Sequence, residues 1–329
     1  MHLLRCFGAQ PTGFYIDAGA GHPVYDNVSF AFYLRGWRGI TVEPNPWLSQ
    51  LSEAVRPRDT RIRSLVGAAP GEATYYRVED FHGLSTTVEG HARAAHSEFG
   101  KRSRAMIMPV TTLRALCEQH APGDIDFLKI DVEGAERAVI EGGDWRRFRP
   151  KILVLEALAP VTMAPSWDAF EPLILSHGYR FAFFDSLNRY YVADEHAGLA
   201  TRLAAAPDAF PAAVQLCAFK PALDDPAHPD HGLALLLAGT EMVRLPLLPP
   251  DEVAERLTAS LEPDALSRPA TRTDLAAVHQ RLFGEPPPPE WDAALALRPS
   301  ASLRDLYRHA VTTDTFRAAC GRISASYAW

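Results

Sequence analysis

The chain has 329 residues, 47% apolar and 22% charged, with a formal net charge of −7. That balance belongs to a soluble globular protein and excludes disorder as the default state, and the acidic excess speaks against a general nucleic-acid binder, which would carry a basic face. The length allows one large core or two domains of roughly 100–200 residues.

Four scattered cysteines (Cys6, Cys117, Cys217 and Cys320) form no Cys-x-x-Cys pair. They support neither a disulfide framework nor a zinc site and fit a reducing compartment. The opening MHLLRCFGAQPTG is too short and interrupted for a signal peptide, and no run reaches the roughly 18–20 apolar residues of a membrane helix. A cytoplasmic protein without a membrane span is expected.

From Gly13 to about Val192, short apolar runs alternate with amphipathic segments, the pattern of an α/β protein with a parallel sheet. Phe14–Asp17 predicts a buried strand ending at a glycine-rich turn. Asp26 or Asn27 caps a helix over roughly Val28 to Arg35, stopped by Gly36. Gly39–Val42 is a second strand, closed by Glu43, and Arg61–Val66 a third. Ala73–Val78 and Ala105–Val110 read as an extra pair of strands flanking a long loop. Thr111 or Thr112 caps a helix to about His120, ended by Pro122-Gly123. Asp126–Val132 is the strongest buried-strand signal; a helix at Ala135–Ile140 and a parallel strand at Lys151–Glu156 follow. Arg146, Arg147 and Arg149, just before that strand, read as a solvated helix end. A helix near Trp167–Ser176 leads to two strands joined by an Asp185–Asn188 turn, a hairpin placing one antiparallel strand at the sheet edge. Pro221–His231, rich in proline and aspartate, reads as a linker. Residues 1–220 then form one domain and 232–329 a small helical one, in which Leu303, Leu306, Tyr307, Ala310 and Val311 share a helix face.

The first strand runs into Asp17-Ala18-Gly19-Ala20-Gly21. Glycines at a strand end let the backbone approach a ligand, and a helix following the turn offers free N–H groups. The third glycine of a dinucleotide fingerprint would fall at Val24, so the pyrophosphate motif is incomplete. Glu43 stands where an acid accepts hydrogen bonds from both ribose hydroxyls. Together they fit a nucleoside without a diphosphate better than NAD.

FYIDAGAGHP, FYLRGWRGITVEPNP, GLST at Gly83–Thr86 and FLKIDVEGAE at Phe127–Glu136, in that order, resemble the FkbM family of methyltransferases over about Gly13 to Val192. The resemblance implies a Rossmann-like α/β fold whose seventh strand is antiparallel, S-adenosylmethionine as the methyl donor, and O-methylation of hydroxyls on sugars and polyketide products. By it, Asp17, Gly19 and Gly21 match the first cofactor motif, although many relatives carry asparagine in place of Gly21. Glu43 matches the ribose-binding acid, and Asn45 approaches the adenosine. Asp131, Glu133, Gly134 and Glu136 match the family's IDVEGxE signature, at the carboxyl edge of the sheet beside the cofactor's methionine end.

Methyl transfer to an alcohol needs the oxygen held in line with the S–CH3 bond and a base for its proton. Asp131 and Glu133 are the leading catalytic candidates, with His22 beside the glycine turn and Glu156 next. Asp131 serves equally well as a holder of the methionine amino group, and Glu133 as a cap of the next helix. Glu156, His82 and Ser85 are expected to face the acceptor. Asp131, Glu133 and Glu156 are also hard oxygen ligands, yet their spacing is not diagnostic and no metal is expected. The reading is an O-methyltransferase acting on a saccharide or glycosylated product; the alternative is a non-catalytic nucleoside-binding scaffold in a glycan-assembly complex. The C-terminal helices distantly resemble a small repeat of secreted or glycan-related bacterial proteins. They are read as a core stripe, with homodimerisation or recruitment of a glycosyltransferase as the other reading.

Overall fold

The computed structural model describes residues 2–79, 81–204, 219–298 and 300–327, without the side chains of 294 and 295; Cys217 lies outside them. Two compact units emerge: Met1–Pro23, Asn27–Glu53 and Pro57–Ala213 form the first, and Val24–Asp26, Ala54–Arg56 and Val214–Trp329 the second.

The first unit begins with helix α1 (His2–Phe7), strand β1 (Phe14–Ala18), α2 (Phe30–Tyr33), β2 (Arg38–Val42), α3 (Pro46–Val55) and β3 (Thr60–Ile62). β4 (Leu65–Val66), β5 (Gly71–Val78), α4 (Glu89–Phe99), β6 (Ser103–Thr111) and α5 (Leu113–His120) follow. The chain continues through β7 (Phe127–Ile130), α6 (Glu136–Glu141), β8 (Ile152–Glu156), α7 (Glu171–Ser176), β9 (Tyr179–Phe184), β10 (Asn188–Ala193) and α8 (Gly198–Ala204). Seven strands form one sheet in the order β3-β2-β1-β7-β8-β10-β9. β1, β7 and β8 are buried along nearly their whole length because both sheet faces are covered. Alternate side chains then enter different cores: Ile16, Leu128 and Leu153 on one face, Tyr15, Phe127 and Val154 on the other. The carboxyl ends of β1, β2, β7 and β8 thus converge on one edge, the usual place for a ligand crevice in such sheets.

Three expectations need adjusting. The strand expected over Arg61–Val66 breaks: Thr60–Ile62 pairs with β2, whereas Leu65–Val66 turns away to pair with β6. Ser64 Oγ, 2.8 Å from both the Leu65 and Pro109 carbonyls, fixes the break, and Leu65 packs with Tyr75 and Met108 in a separate small core. The antiparallel strand is not at the edge. β10 lies between β8 and β9, as the more thoroughly buried of the two hairpin strands. And α2 starts well after the glycine turn, at Phe30, where Asn27 Oδ1 accepts from the Phe30 N–H at 2.8 Å.

The second unit is helical. Leu303, Leu306, Tyr307, Ala310 and Val311 are buried together in its core, as their spacing predicts. Ser302 caps that helix in a reciprocal box with Asp305. Among the described residues, Cys6, Cys117 and Cys320 are free and buried, and no helix is long and apolar enough to cross a membrane.

Candidate active site

The glycine turn is built into the sheet edge. Gly19 and Ala20 each donate N–H to the Val42 carbonyl at 3.0 Å, and Asp131 N–H donates to the Ala18 carbonyl at 3.0 Å. At Gly19, with φ +77°, an added Cβ would stand 1.7 Å from the Asp131 carbonyl oxygen, so only glycine fits this crossing. Gly21 differs: a Cβ there would meet only the His82 ring, at 3.6 Å. Asn27 Nδ2 ties the turn down by donating to the Ala20 carbonyl at 2.8 Å. The amides of Gly19, Ala20 and Gly21 are taken by Val42 and Glu43, and at the start of α2 the Phe30 N–H is taken by Asn27 Oδ1.

Glu43 is buried, and its two oxygens accept from the Gly21 N–H at 2.8 Å and the Asn45 N–H at 2.7 Å. A carboxylate has about four acceptor positions, so two remain for hydroxyl donors. Burial pushes its pKa up to about 7, against the pull of those two backbone bonds. Asn45 Oδ1 is committed to the Trp47 N–H at 3.0 Å, which leaves its NH2 as the group that can meet a ligand.

The IDVEGxE loop gathers the acids. Asp131, Glu133 and Glu156 each place an oxygen within 4.8 Å of the other two. Burial raises the pKa of both Glu133 and Glu156, with Asp131 the next cause for each, because neighbouring carboxylates cannot all ionise cheaply. One cation sits beneath them. Lys129 Nζ lies 2.7 Å from Asp131 Oδ2 and 3.9 Å from Asp17 Oδ1. Burial works against its charge, but the Asp131 and Asp17 carboxylates outweigh that and hold the ammonium above its ordinary pKa. Asp17 is fully buried, with Oδ2 2.6 Å from Ser29 Oγ. Glu136 accepts from the Val132 and Gly134 N–H groups at 3.3 and 3.1 Å, so the local capping work falls to it rather than to Glu133.

The segment between β5 and α4 closes over this edge. His22 and His82 are 6.5 Å apart between ring centroids. Burial lowers the pKa of His22 to about 3 and of His82 to about 4, so both are neutral at physiological pH. Ser85 Oγ is engaged by the Val78 N–H at 3.1 Å, which makes it part of the scaffold. Glu133 itself is held in the left-handed region, at φ +56°, which costs a non-glycine residue on the order of 1–3 kcal/mol. Its carbonyl is clamped by Thr86 Oγ1 at 2.7 Å and by His91 Nδ1 at 3.1 Å, the latter contact requiring the ring proton on Nδ1. Thr86→Val removes one jaw of the clamp. Turnover should fall by roughly tenfold through misplacement of Glu133 and return in Thr86→Ser; unchanged steady-state rates in Thr86→Val would show that the clamp does not set the acid's position.

Residues 17–181, half of the chain, match the model of the methyltransferase FkbM domain. The chain belongs to the FkbM methyltransferase family. No similar protein was found among curated proteins or among solved structures. The matched span of this FkbM methyltransferase runs from Asp17, at the end of β1, to Phe181 in β9, and so includes every residue singled out above.

Two features of this FkbM domain had little or no signal in the sequence. Lys129 was legible in principle, as a lone cation inside an apolar strand whose neighbours are buried on both faces. The Thr86–Glu133 contact joins positions 47 residues apart and leaves no local trace. The Asp131, Glu133 and Glu156 oxygens could also hold a hard cation, although Lys129 already occupies one side of Asp131.

Glu43 supplies a further test. A carboxyl whose folded pKa lies above its ordinary 4.5 loses stabilisation as pH rises from that value through about 7. Urea unfolding should therefore show Glu43→Gln gaining on the wild type between about pH 5 and pH 8, by roughly 1–3 kcal/mol. Parallel pH profiles would mean that burial of the charge is not the cause.

Proposed function

We propose that this protein is an S-adenosylmethionine-dependent O-methyltransferase acting on a hydroxyl of a saccharide or glycosylated product. The observation that carries the reading is Glu43, a buried carboxylate with two acceptor positions to spare, locked by Gly21 and Asn45 beside a carboxylate cluster that outnumbers its single lysine. Such a site favours a nucleoside bearing positive charge over one bearing a diphosphate.

When bound, S-adenosylmethionine supplies an already activated methyl on a sulfonium. This chain's residues do the rest. Glu43 accepts the ribose hydroxyls, and Asn45 offers its NH2 to the base. Asp131, oriented by Lys129, holds the amino end. Positive charge beside Asp131, Glu133 and Glu156 favours their ionised forms, which frees Glu133 to take the acceptor hydroxyl's proton; His22 and His82, both neutral, are secondary acceptors for it. General-base assistance of this kind contributes roughly 10²–10⁴ in rate. Glu156, at the end of β8, and His82 over the turn flank the space left for the acceptor.

Incubation with methyl-labelled S-adenosylmethionine and fractionated glycans, read by mass spectrometry, tests the assignment: one saccharide fraction should gain a methyl on oxygen. Cofactor binding with no label in any fraction would favour a scaffold instead. Glu43→Ala should weaken cofactor affinity by roughly 1–3 kcal/mol, the worth of hydrogen bonds to a charged group, and an unchanged dissociation constant would remove Glu43 from the ribose site.

A further inference from the structure

β5 and β6 pair antiparallel with Arg77 directly opposite Arg104. Like charges in that position are destabilising, yet neither guanidinium has an acidic partner among the described residues, and Lys101 and Arg102 follow on the same turn into β6. In a protein of net charge −7, four cations gathered at the end of β5 and the start of β6, where the Glu79 N–H bonds the Arg102 carbonyl at 2.8 Å, stand out.

Their placement relates them to the site. Alternation along the strands puts Arg77 and Arg104 on the face that carries Tyr75 and Met108, one step beyond Tyr75. Tyr75 is buried there, and its phenol is held above its ordinary pKa by burial and then by the Glu43 carboxylate, so the face that carries Arg77 is near that acid. Thr86 bridges Tyr76 antiparallel, which brings Ser85 level with Arg77. Arg104, Arg77 and Ser85 therefore stand level across adjacent strands, one residue from Thr86, whose hydroxyl bonds the Glu133 carbonyl, with Arg77 half-buried and Arg104 exposed.

We infer that Arg77 and Arg104 bind an oxyanion of the acceptor, so that the methylated saccharide carries a phosphate or a carboxylate a short distance from the reacting hydroxyl. Paired guanidinium forks match both groups in geometry. Lys101 and Arg102 add long-range attraction for an anionic acceptor, screened by salt. This deepens the methyltransferase reading and rests on it for the identity of the ligand as acceptor.

The test uses the full chain. Inorganic pyrophosphate and glucuronate are titrated separately by calorimetry at low ionic strength, with S-adenosylhomocysteine titrated alongside, into wild type and the double variant Arg77→Gln/Arg104→Gln. Wild type should bind at least one of the two anions, and which one binds separates a phosphate source from a carboxylate. The double variant should bind that anion at least tenfold more weakly, with S-adenosylhomocysteine affinity unchanged. Labelled methyl groups should enter the glycan fraction retained on an anion exchanger. Uptake of neither anion, equal affinity in the double variant, or label confined to neutral glycans overturns the inference. Failure of S-adenosylhomocysteine to bind wild type would instead sink the cofactor reading, a separate outcome in the same titration.

Discussion

Replacing Asp131 with alanine should lower turnover at least tenfold and destabilise the domain. Its carboxylate is the near partner of Lys129, whose side chain is only 7% exposed; without it the ammonium keeps Asp17 alone, at 3.9 Å. Breaking a buried pair by removing one partner costs about 3–5 kcal/mol, and the partial exposure of Asp131 brings the expectation to roughly 2–3 kcal/mol. Asp131→Asn keeps the shape and tests the charge alone. It should unfold at lower urea than the wild type because the charge is gone, and it should also lose turnover if Asp131 orients the cofactor. Wild-type rates and unfolding midpoints in both variants would remove Asp131 from the mechanism and from the support of Lys129.

The second large effect is expected at Gly19. Alanine there must adopt φ +77° and place Cβ 1.7 Å from the Asp131 carbonyl oxygen, so the ends of β1 and β7 must separate. Left-handed strain of about 1–2 kcal/mol adds to an overpacking cost of about 1–3 kcal/mol. The Asp131 N–H to Ala18 carbonyl bond joins the same two strand ends. A lowered melting temperature together with weaker S-adenosylhomocysteine binding is the expected result. A Gly19→Ala protein that melts and binds like the wild type would contradict the tight crossing.

The sheet was legible because its strands are short apolar runs ended by glycines and acids, and a doubly covered sheet demands that pattern at Ile16, Leu128 and Leu153 alike. The cap of α5 was narrowed to Thr111 or Thr112, and it is the Thr112 hydroxyl that accepts from the Ala115 N–H. Legibility failed where non-local contacts decide. Nothing in RIRSLV tells that Ser64 reaches the Pro109 carbonyl and sends the strand into another sheet. The hairpin was recognisable, but whether β9 or β10 faces β8 depends on burial that alternation alone does not rank.

At the site, residue types announced the chemistry and missed its supports. Glu43 and the IDVEGxE acids stand out as charges ending buried strands. The parts that hold them do not: Asn27 on the turn, Lys129 under Asp131, and Thr86 with His91 on a strained Glu133. Capping was assigned to Glu133 as one reading because acids favour a first helical turn. Glu136, three residues on, has the reach to bond both loop N–H groups and takes that role.

The most direct measurement is a crystal structure with S-adenosylhomocysteine bound. Both ribose hydroxyls should lie within hydrogen-bonding distance of the Glu43 carboxylate, the ligand's sulfur should face the Asp131–Glu133 loop, and the turn at Gly21 should lie against the ligand. Density for the ligand elsewhere, or a crevice that takes NADH in its place, would contradict that placement.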